Sequence, residues 1–248
     1  MKPSRKHGYI AGRNAVKEAL AAGRVTHCYL SGREQGELAA MEREAQRRGV
    51  PVTWLSGREL QALVPQVRHQ GAVAQTAPYA YAALEDVTAG ALARSYSLLV
   101  LLDGVEDPHN VGAIIRTADA AGADAVLLPE RRAAQITETV HRTSAGATAW
   151  MPIVRIKNVA RTLAELKGQG YWVFGTDMDG TVSYTEADFR GHCVLVVGNE
   201  GKGMARLTRD ACDYLVRIPM YGHVESLNVS VAAALLMYTA AGQVSHET

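Results

Sequence analysis

From residue 96 onward the sequence holds six short apolar runs, Leu98–Leu102, Ala125–Leu128, Ile153–Ile156, Tyr171–Gly175, Cys193–Val197 and Tyr214–Ile218, separated by turns and helical patterns. Strands that read as continuous Val, Leu and Ile rather than alternating are covered on both faces. The pattern therefore predicts an α/β fold with a mostly parallel sheet flanked by helices. Residues 1–78 read differently: a helical pattern at Asn14–Ala22, a strand-like Val25–Leu30, a charged helix around Gly36–Arg48, a short strand at Val50–Leu55, a helix started by Ser56, and a closing Ala72–Ala77. This alternation predicts a small α/β domain with its own layered core. The stretch Pro78–Leu92 shows neither a period of 2 nor of 3.6, and reads as part of a linker over residues 79–95, free to fold on the domain at 96–248.

Composition narrows the class without choosing a function. With 48% hydrophobic and 21% charged residues over 248 positions, the chain is ordinary for a globular protein. Its longest apolar run, Val229–Met237, is interrupted by Ser230 and falls short of the roughly 20 residues of a membrane-spanning helix, so no membrane partner is expected. The opening MKPSRKHGYI lacks the apolar region of a secretory signal and reads as a basic arm, which makes the expected address cytoplasmic. Cys28, Cys193 and Cys212 form no C-x-x-C pair and the histidines no H-E-x-x-H, so neither a disulfide framework nor a metal site is expected.

Charge does change the picture. Residues 1–78 carry 12 Lys and Arg against 6 Asp and Glu, a balance of +6, whereas residues 79–248 carry 14 against 19, a balance of −5. A basic first domain suits a polyanionic partner, because neutralising phosphates supplies most non-specific nucleic-acid affinity. A solvated basic surface would give the same count.

In α/β sheets the ligand sits beyond the carboxyl ends of the strands, so the loops after the apolar runs carry the candidate chemistry. After Leu98–Leu102 comes DGVEDPHNVGAIIRTADAAG, with Asn110 where a helix N-cap belongs and Arg116 among Val111, Ile114, Ile115 and Ala118. A cap is explanation enough for Asn110 alone; Arg116, read as a partly buried guanidinium, calls for a phosphate or carboxylate partner. This loop is not the G-x-G-x-x-G of a dinucleotide fold. The second loop, in CVLVVGNEGKGM, sets Glu200 between Gly198 and Gly201, where glycine permits close approach of ligand to backbone. Without G-x-x-x-x-G-K-[ST], Lys202 is no phosphate-loop lysine. In the third, YLVRIPMYGHVESLNVSVAAALLMY, Ser226 and Asn228 precede an apolar helix; the two cannot share one N-cap, which leaves at least one for another task.

Together these residues resemble the three motifs of the SpoU (TrmH-type) branch of the SPOUT RNA ribose methyltransferases: N-x₅-R at Asn110 and Arg116, G-N-E-G at Gly198–Gly201, and I-P-M…S-L-N-V-S from Ile218 to Ser230. The opening GRNAVKEAL and the HQGAVAQ near residue 70 extend the likeness toward the 23S rRNA guanosine-2′-O-methyltransferase group. The resemblance implies an L30e-like RNA-binding domain at 1–78, a catalytic domain with a deep trefoil knot, and a homodimer. It further implies S-adenosylmethionine bound by Thr176, Gly198, Gly201, Ile218, Met220 and Leu227, with Arg116 nearest the ribose hydroxyl and Asn110, Glu200, Ser226 and Asn228 orienting the reactants. The implied reaction is methyl transfer to a 2′-OH, on a guanosine in the peptidyl-transferase region of large-subunit rRNA. The alternatives are the same chemistry on another rRNA or tRNA site, or a non-enzymatic RNA-binding or ribosome-assembly factor. Because such a transfer needs alignment more than covalent help, positioning groups are what the motif residues have to supply. Arg116 acts either as proton acceptor or as the cation that lowers the hydroxyl's pKa; residue type alone does not separate the two.

Overall fold

The computed structural model describes residues 8–32, 36–65, 67–77 and 79–244; most of the opening basic arm, and Pro78 of the linker, lie outside them. Contacts divide the chain into two compact units, residues 1–80 and 81–248.

The first unit runs β1 (Gly8–Ala11), α1 (Arg13–Ala21), β2 (Val25–Leu30), α2 (Glu37–Arg47), β3 (Val52–Trp54), α3 (Gly57–Leu63) and β4 (Ala72–Thr76). Its sheet has the order β1-β4-β2-β3, with β4 antiparallel to both neighbours and β2 parallel to β3. One face packs Ile10, Cys28, Leu30 and Ala74 against Val16, Leu20, Leu38 and Met41 of α1 and α2. The other face places Val73, Tyr9 and Tyr29 against Leu60 and Val64. Ser56 does start α3: its hydroxyl accepts from the Glu59 amide while the Glu59 carboxylate accepts from the Ser56 amide, a reciprocal cap of two otherwise orphaned donors.

The second unit runs α4 (Leu84–Leu92), β5 (Ser97–Asp103), α5 (Pro108–Ala120), β6 (Ala125–Pro129), α6 (Glu138–Thr143), a 3₁₀ turn (Ala147–Ala149), β7 (Ile153–Ile156), α7 (Val159–Gly168), β8 (Trp172–Thr176), β9 (Val182–Ser183), β10 (His192–Gly198), α8 (Arg206–Ala211), β11 (Tyr214–Arg217) and α9 (Val229–Val244). All seven strands are parallel, in the order β7-β6-β5-β10-β8-β11-β9. Every one of the six apolar runs is a strand. The central pair explains their uniform character, since Leu98–Leu102 and Cys193–Val197 are buried on both faces of the sheet.

Two short strands, β1 and the two-residue β9, have no signature in the pattern. The segment expected as linker instead carries α4, whose Thr88 and Ala91 are buried and whose Leu84 and Val87 pack on the core under β6 and β7. Ala82 pairs with Val154, which ties its entrance to the sheet edge. Alanine and threonine bury little area per residue, so the helix shows no clear apolar stripe although its packing is real.

Cys28 and Cys193 are buried and Cys212 half-buried, all three as free thiols. Burial pushes each up to about 12 from an ordinary 9.0. A raised thiol pKa stabilises the fold fully below the unfolded value, and that stability is lost as pH rises toward 12. Iodoacetamide at neutral pH should therefore label the native chain far more slowly than the urea-unfolded chain, with mass spectrometry as the readout. Rapid native labelling of Cys193 would contradict its enclosed position.

Candidate active site

Because the strands are parallel, their carboxyl ends share one edge, and the loops leaving β5, β10 and β11 meet there. The loop after β5 enters α5 through Asp107, not Asn110. The Asp107 carboxylate accepts from the His109 amide as N-cap, and Pro108 follows at the first helical position, where no N–H is needed. Asn110 thus lies one turn inside the helix, which corrects its reading as the cap and releases its side chain.

That side chain meets two others. Asn110 Nδ2 donates to Glu200 Oε1 at 3.2 Å, and Asn228 Nδ2 donates to Asn110 Oδ1 at 3.0 Å and to Glu200 Oε1 at 2.6 Å. The same Glu200 oxygen accepts from the Val229 amide at 3.0 Å, so a carboxylate lies on the positive N-terminus of α9. Asn228 is the cap of that helix: its Oδ1 accepts from the Ser230 amide at 3.0 Å. Of the two candidates, Ser226 is therefore the one left without a capping role.

The turn carrying Glu200 is built by Asn199 and Gly198. Asn199 donates to the Gly104 carbonyl at 2.9 Å and accepts from the Gly201 and Lys202 amides, while Asn199 and Gly203 exchange backbone hydrogen bonds. A Cβ on Gly198 would stand 2.5 Å from backbone atoms of Gly203 and Met204, so only glycine lets the loop fold back so tightly. Beneath the loop the Thr176 hydroxyl accepts from the Gly198 amide, and Asp103 accepts from the Ala205 amide at 2.8 Å.

A cleft of about 340 Å³ opens beside this turn. Thr176, Gly198, Gly201, Ile218, Met220 and Leu227 all line it, together with Glu200 and Ser226. Asp177, Asp179 and Glu225 line it too, against Lys202 as the one cation, so its wall is strongly acidic. Asp177 is fixed by Arg209 at 2.6 Å. These acids and Asn199 were not singled out from the sequence; the runs of turn-forming residues after β8 and β10 were the available signal.

Arg116 departs from expectation. It is exposed, donates to no described residue, and does not line the cleft. The reason is helical geometry: Val111, Ile114, Ile115 and Ala118 form the buried stripe of α5, and at about 100° per residue Arg116 falls roughly 150° from its centre. Asn110 lies about 9 Å back along the axis and some 120° around it. Among the described residues no three His, Cys, Asp or Glu side chains converge as metal ligands, and no helix is long and apolar enough to cross a membrane.

Residues 97–238 match the model of the SpoU rRNA methylase family, and residues 9–82 match that of the RNA 2′-O ribose methyltransferase substrate-binding domain. A Bacillus subtilis protein whose name places it in the TrmH tRNA/rRNA methyltransferase family is 41% identical over 238 residues, 95% of each chain. Among solved structures, the SpoU methyltransferase AviRb from Streptomyces viridochromogenes in complex with AdoMet is 25% identical with a TM-score of 0.74, covering 97% of this chain and 92% of its own. An AdoMet-bound rRNA methyltransferase from Sinorhizobium meliloti is 26% identical with a TM-score of 0.75, covering 96% and 88%.

Glu200→Ala should remove the acceptor shared by Asn110, Asn228 and the Val229 amide. At this exposed site it should cost about 1–2 kcal/mol in urea unfolding. Unchanged stability would mean that the carboxylate does not hold the three loops together.

Proposed function

This chain belongs to the SpoU rRNA methylase family, and from that premise we propose that it methylates a ribose 2′-OH of large-subunit rRNA, on a guanosine of the peptidyl-transferase region, as a homodimer whose two subunits share each active site. The activity class is that of an S-adenosylmethionine-dependent RNA 2′-O-methyltransferase. Guanosine in 23S rRNA is the finer reading, supported by the near full-length likeness of the opening segments; another rRNA or tRNA site is its competitor.

The cleft suits the cofactor. It offers polar backbone around Gly198–Gly201, apolar contacts from Ile218, Met220 and Leu227, and acidic groups that favour a cation over a phosphate. When bound, S-adenosylmethionine supplies an electrophilic methyl group carried on a sulfonium. Asn110, Glu200, Ser226 and Asn228 would then orient the ribose at the mouth of the cleft. Their mutual hydrogen bonds preset that geometry, which is how a positioned site lowers a barrier without covalent chemistry. A deep trefoil knot at the C-terminal end of the sheet is part of the same reading; the strand order, with β10 between β5 and β8 and β11 between β8 and β9, is compatible with it.

The observation that carries the dimer is the placement of Arg116. A guanidinium some 120° around α5 from Asn110, exposed and bonded to no described residue, makes no contact with that chain's own cluster, and in this reading it completes the cluster of a second copy. The apolar helix α9, packed on α5 yet with Val231 48% and Tyr238 56% exposed, supports a second copy as its cover. In this reading Arg116 serves as the cation that stabilises the developing alkoxide and holds the adjacent phosphate, with proton acceptance as its alternative role. The basic first unit grips the RNA, and the site works without a metal. The setting is the cytoplasm.

Arg116→Ala should abolish transfer of tritiated methyl while cofactor affinity by calorimetry stays near wild type. Subunits carrying Arg116→Ala and Glu200→Gln, each inactive alone, should regain about a quarter of wild-type activity after denaturation and refolding together, because half the dimers are mixed and one of their two sites is whole. Turnover by Arg116→Ala alone would remove the residue from the reaction, and no recovery on mixing would remove the shared site.

A further inference from the structure

The carboxyl edge of the sheet is electrically divided. Around β8, β10 and β11 it presents Asp177, Asp179, Glu200 and Glu225, against Lys202 in the cleft wall and Arg209, which pairs with Asp177. Past β5, on the half formed by β6 and β7, it presents Arg131 and Arg132 directly after β6, Lys157 directly after β7, and Arg142 on α6. All four are exposed, and none of their side chains makes a hydrogen bond or ion pair with a described residue. The acids beside them are occupied or outnumbered: Asp107 caps α5, Glu138 has partners of its own, and Glu106 and Glu130 remain.

This basic half is built rather than incidental. The Glu130 amide donates to the Ile156 carbonyl, and the Arg155 guanidinium donates to the Glu130 carbonyl at 2.9 Å while lying 5.4 Å over the Tyr81 ring. Arg155 thereby anchors the turn that presents Arg131 and Arg132. The Ala134 amide reaches the Val105 carbonyl, which ties this loop to the one that delivers Asn110. A Cβ on Gly112 of α5 would meet Thr143 at 2.7 Å, so α6 and its Arg142 lie against the first turns of the helix that holds Asn110. Arg132 itself sits at φ 58, a left-handed backbone conformation that costs a non-glycine residue energy.

We infer that Arg131, Arg132, Arg142 and Lys157 form a phosphate track that holds the RNA strand flanking the target nucleotide, leading away from the Asn110–Glu200–Asn228 cluster along the ends of β6 and β7. The inference rests on the function proposed above and adds to it a nucleic-acid contact within the second unit. Strand ends are spaced about 4.8 Å apart, so the turn after β6 and Lys157 stand one and two strand widths from β5, within reach of consecutive backbone phosphates. The division of charge has a consequence for selectivity: the acidic half repels the RNA backbone and keeps it from competing for the cofactor cleft, while the basic half attracts it.

The test uses the full chain carrying Arg131→Ala, Arg132→Ala and Lys157→Ala together, with protein-free total ribosomal RNA as the probe. Binding is followed by filter retention between about 50 and 200 mM salt, and methyl transfer by tritium incorporation. Losing three contacts to a single strand should lower the slope of log affinity against log salt by about 2. The KM for RNA should rise about tenfold or more, with kcat within about twofold and cofactor affinity unchanged. Lysine at positions 131 and 132 should restore most of the slope, since a phosphate accepts a point charge. Arg132→Gly relieves the strained backbone and should melt no lower than wild type while still losing RNA affinity. A triple variant with wild-type slope and KM would overturn the track, as would an Arg132→Gly that melts lower and binds RNA unchanged. Wild-type protein that binds this RNA but transfers no methyl group would refute the proposed reaction instead, and the slope would still decide on the track.

Discussion

One oxygen of Glu200 holds the site together. It accepts from Asn110 on the helix after β5, from Asn228 after β11, and from the first amide of α9, so loops leaving three different strands converge on a single acceptor. A carboxylate is suited to this role because it carries no donor of its own and is favoured by the partial positive charge of the helix end. The rest of the arrangement serves that convergence. Asp107 and Pro108 begin α5 so that Asn110 need not, Asn199 shapes the turn that presents Glu200, and Gly198 permits the turn to close on Gly203. The cluster is at once a clamp on the fold and an array of positioned polar groups open to solvent.

Openness has a cost that the single chain does not meet. Glu200 and Asn228 are exposed and Asn110 half-buried, while methyl transfer gains from a site shielded from water. Under the proposed function, what completes the site comes from outside these loops: the RNA itself, and a second subunit bringing Arg116. The acidic cleft and the basic track are two halves of one electrostatic division, one fitted to a cationic cofactor and the other to a polyanionic substrate.

The strands were the legible part of the fold because burial on both faces leaves no room for polar alternation, and every apolar run after residue 96 became one. β9 was illegible because two residues carry no period, and α4 because alanine and threonine pack without forming a clear stripe. At the site, residue types were legible and their local roles were not. Asn110 looked like a cap because Asn caps helices, yet Asp107 three residues earlier took the position. Arg116 looked half-buried because its sequence neighbours are apolar, but those neighbours occupy one face of α5 and the arginine another. Neighbours in sequence and neighbours on a helix face are different sets, and charge placement follows the second. All six residues named for the cofactor line one cleft, since three loops at one sheet edge leave them little choice.

The central claim is that these converging loops direct a methyl group to one ribose in large-subunit rRNA. It is tested most directly by mapping 2′-O-methylated nucleotides across total cellular RNA, from otherwise identical cells with and without this protein. The account predicts that a single guanosine in the peptidyl-transferase region loses its methyl group when the protein is absent and regains it when wild-type protein, but not a Glu200→Ala chain, is supplied. An unchanged methylation map, or a lost site confined to tRNA, would contradict it.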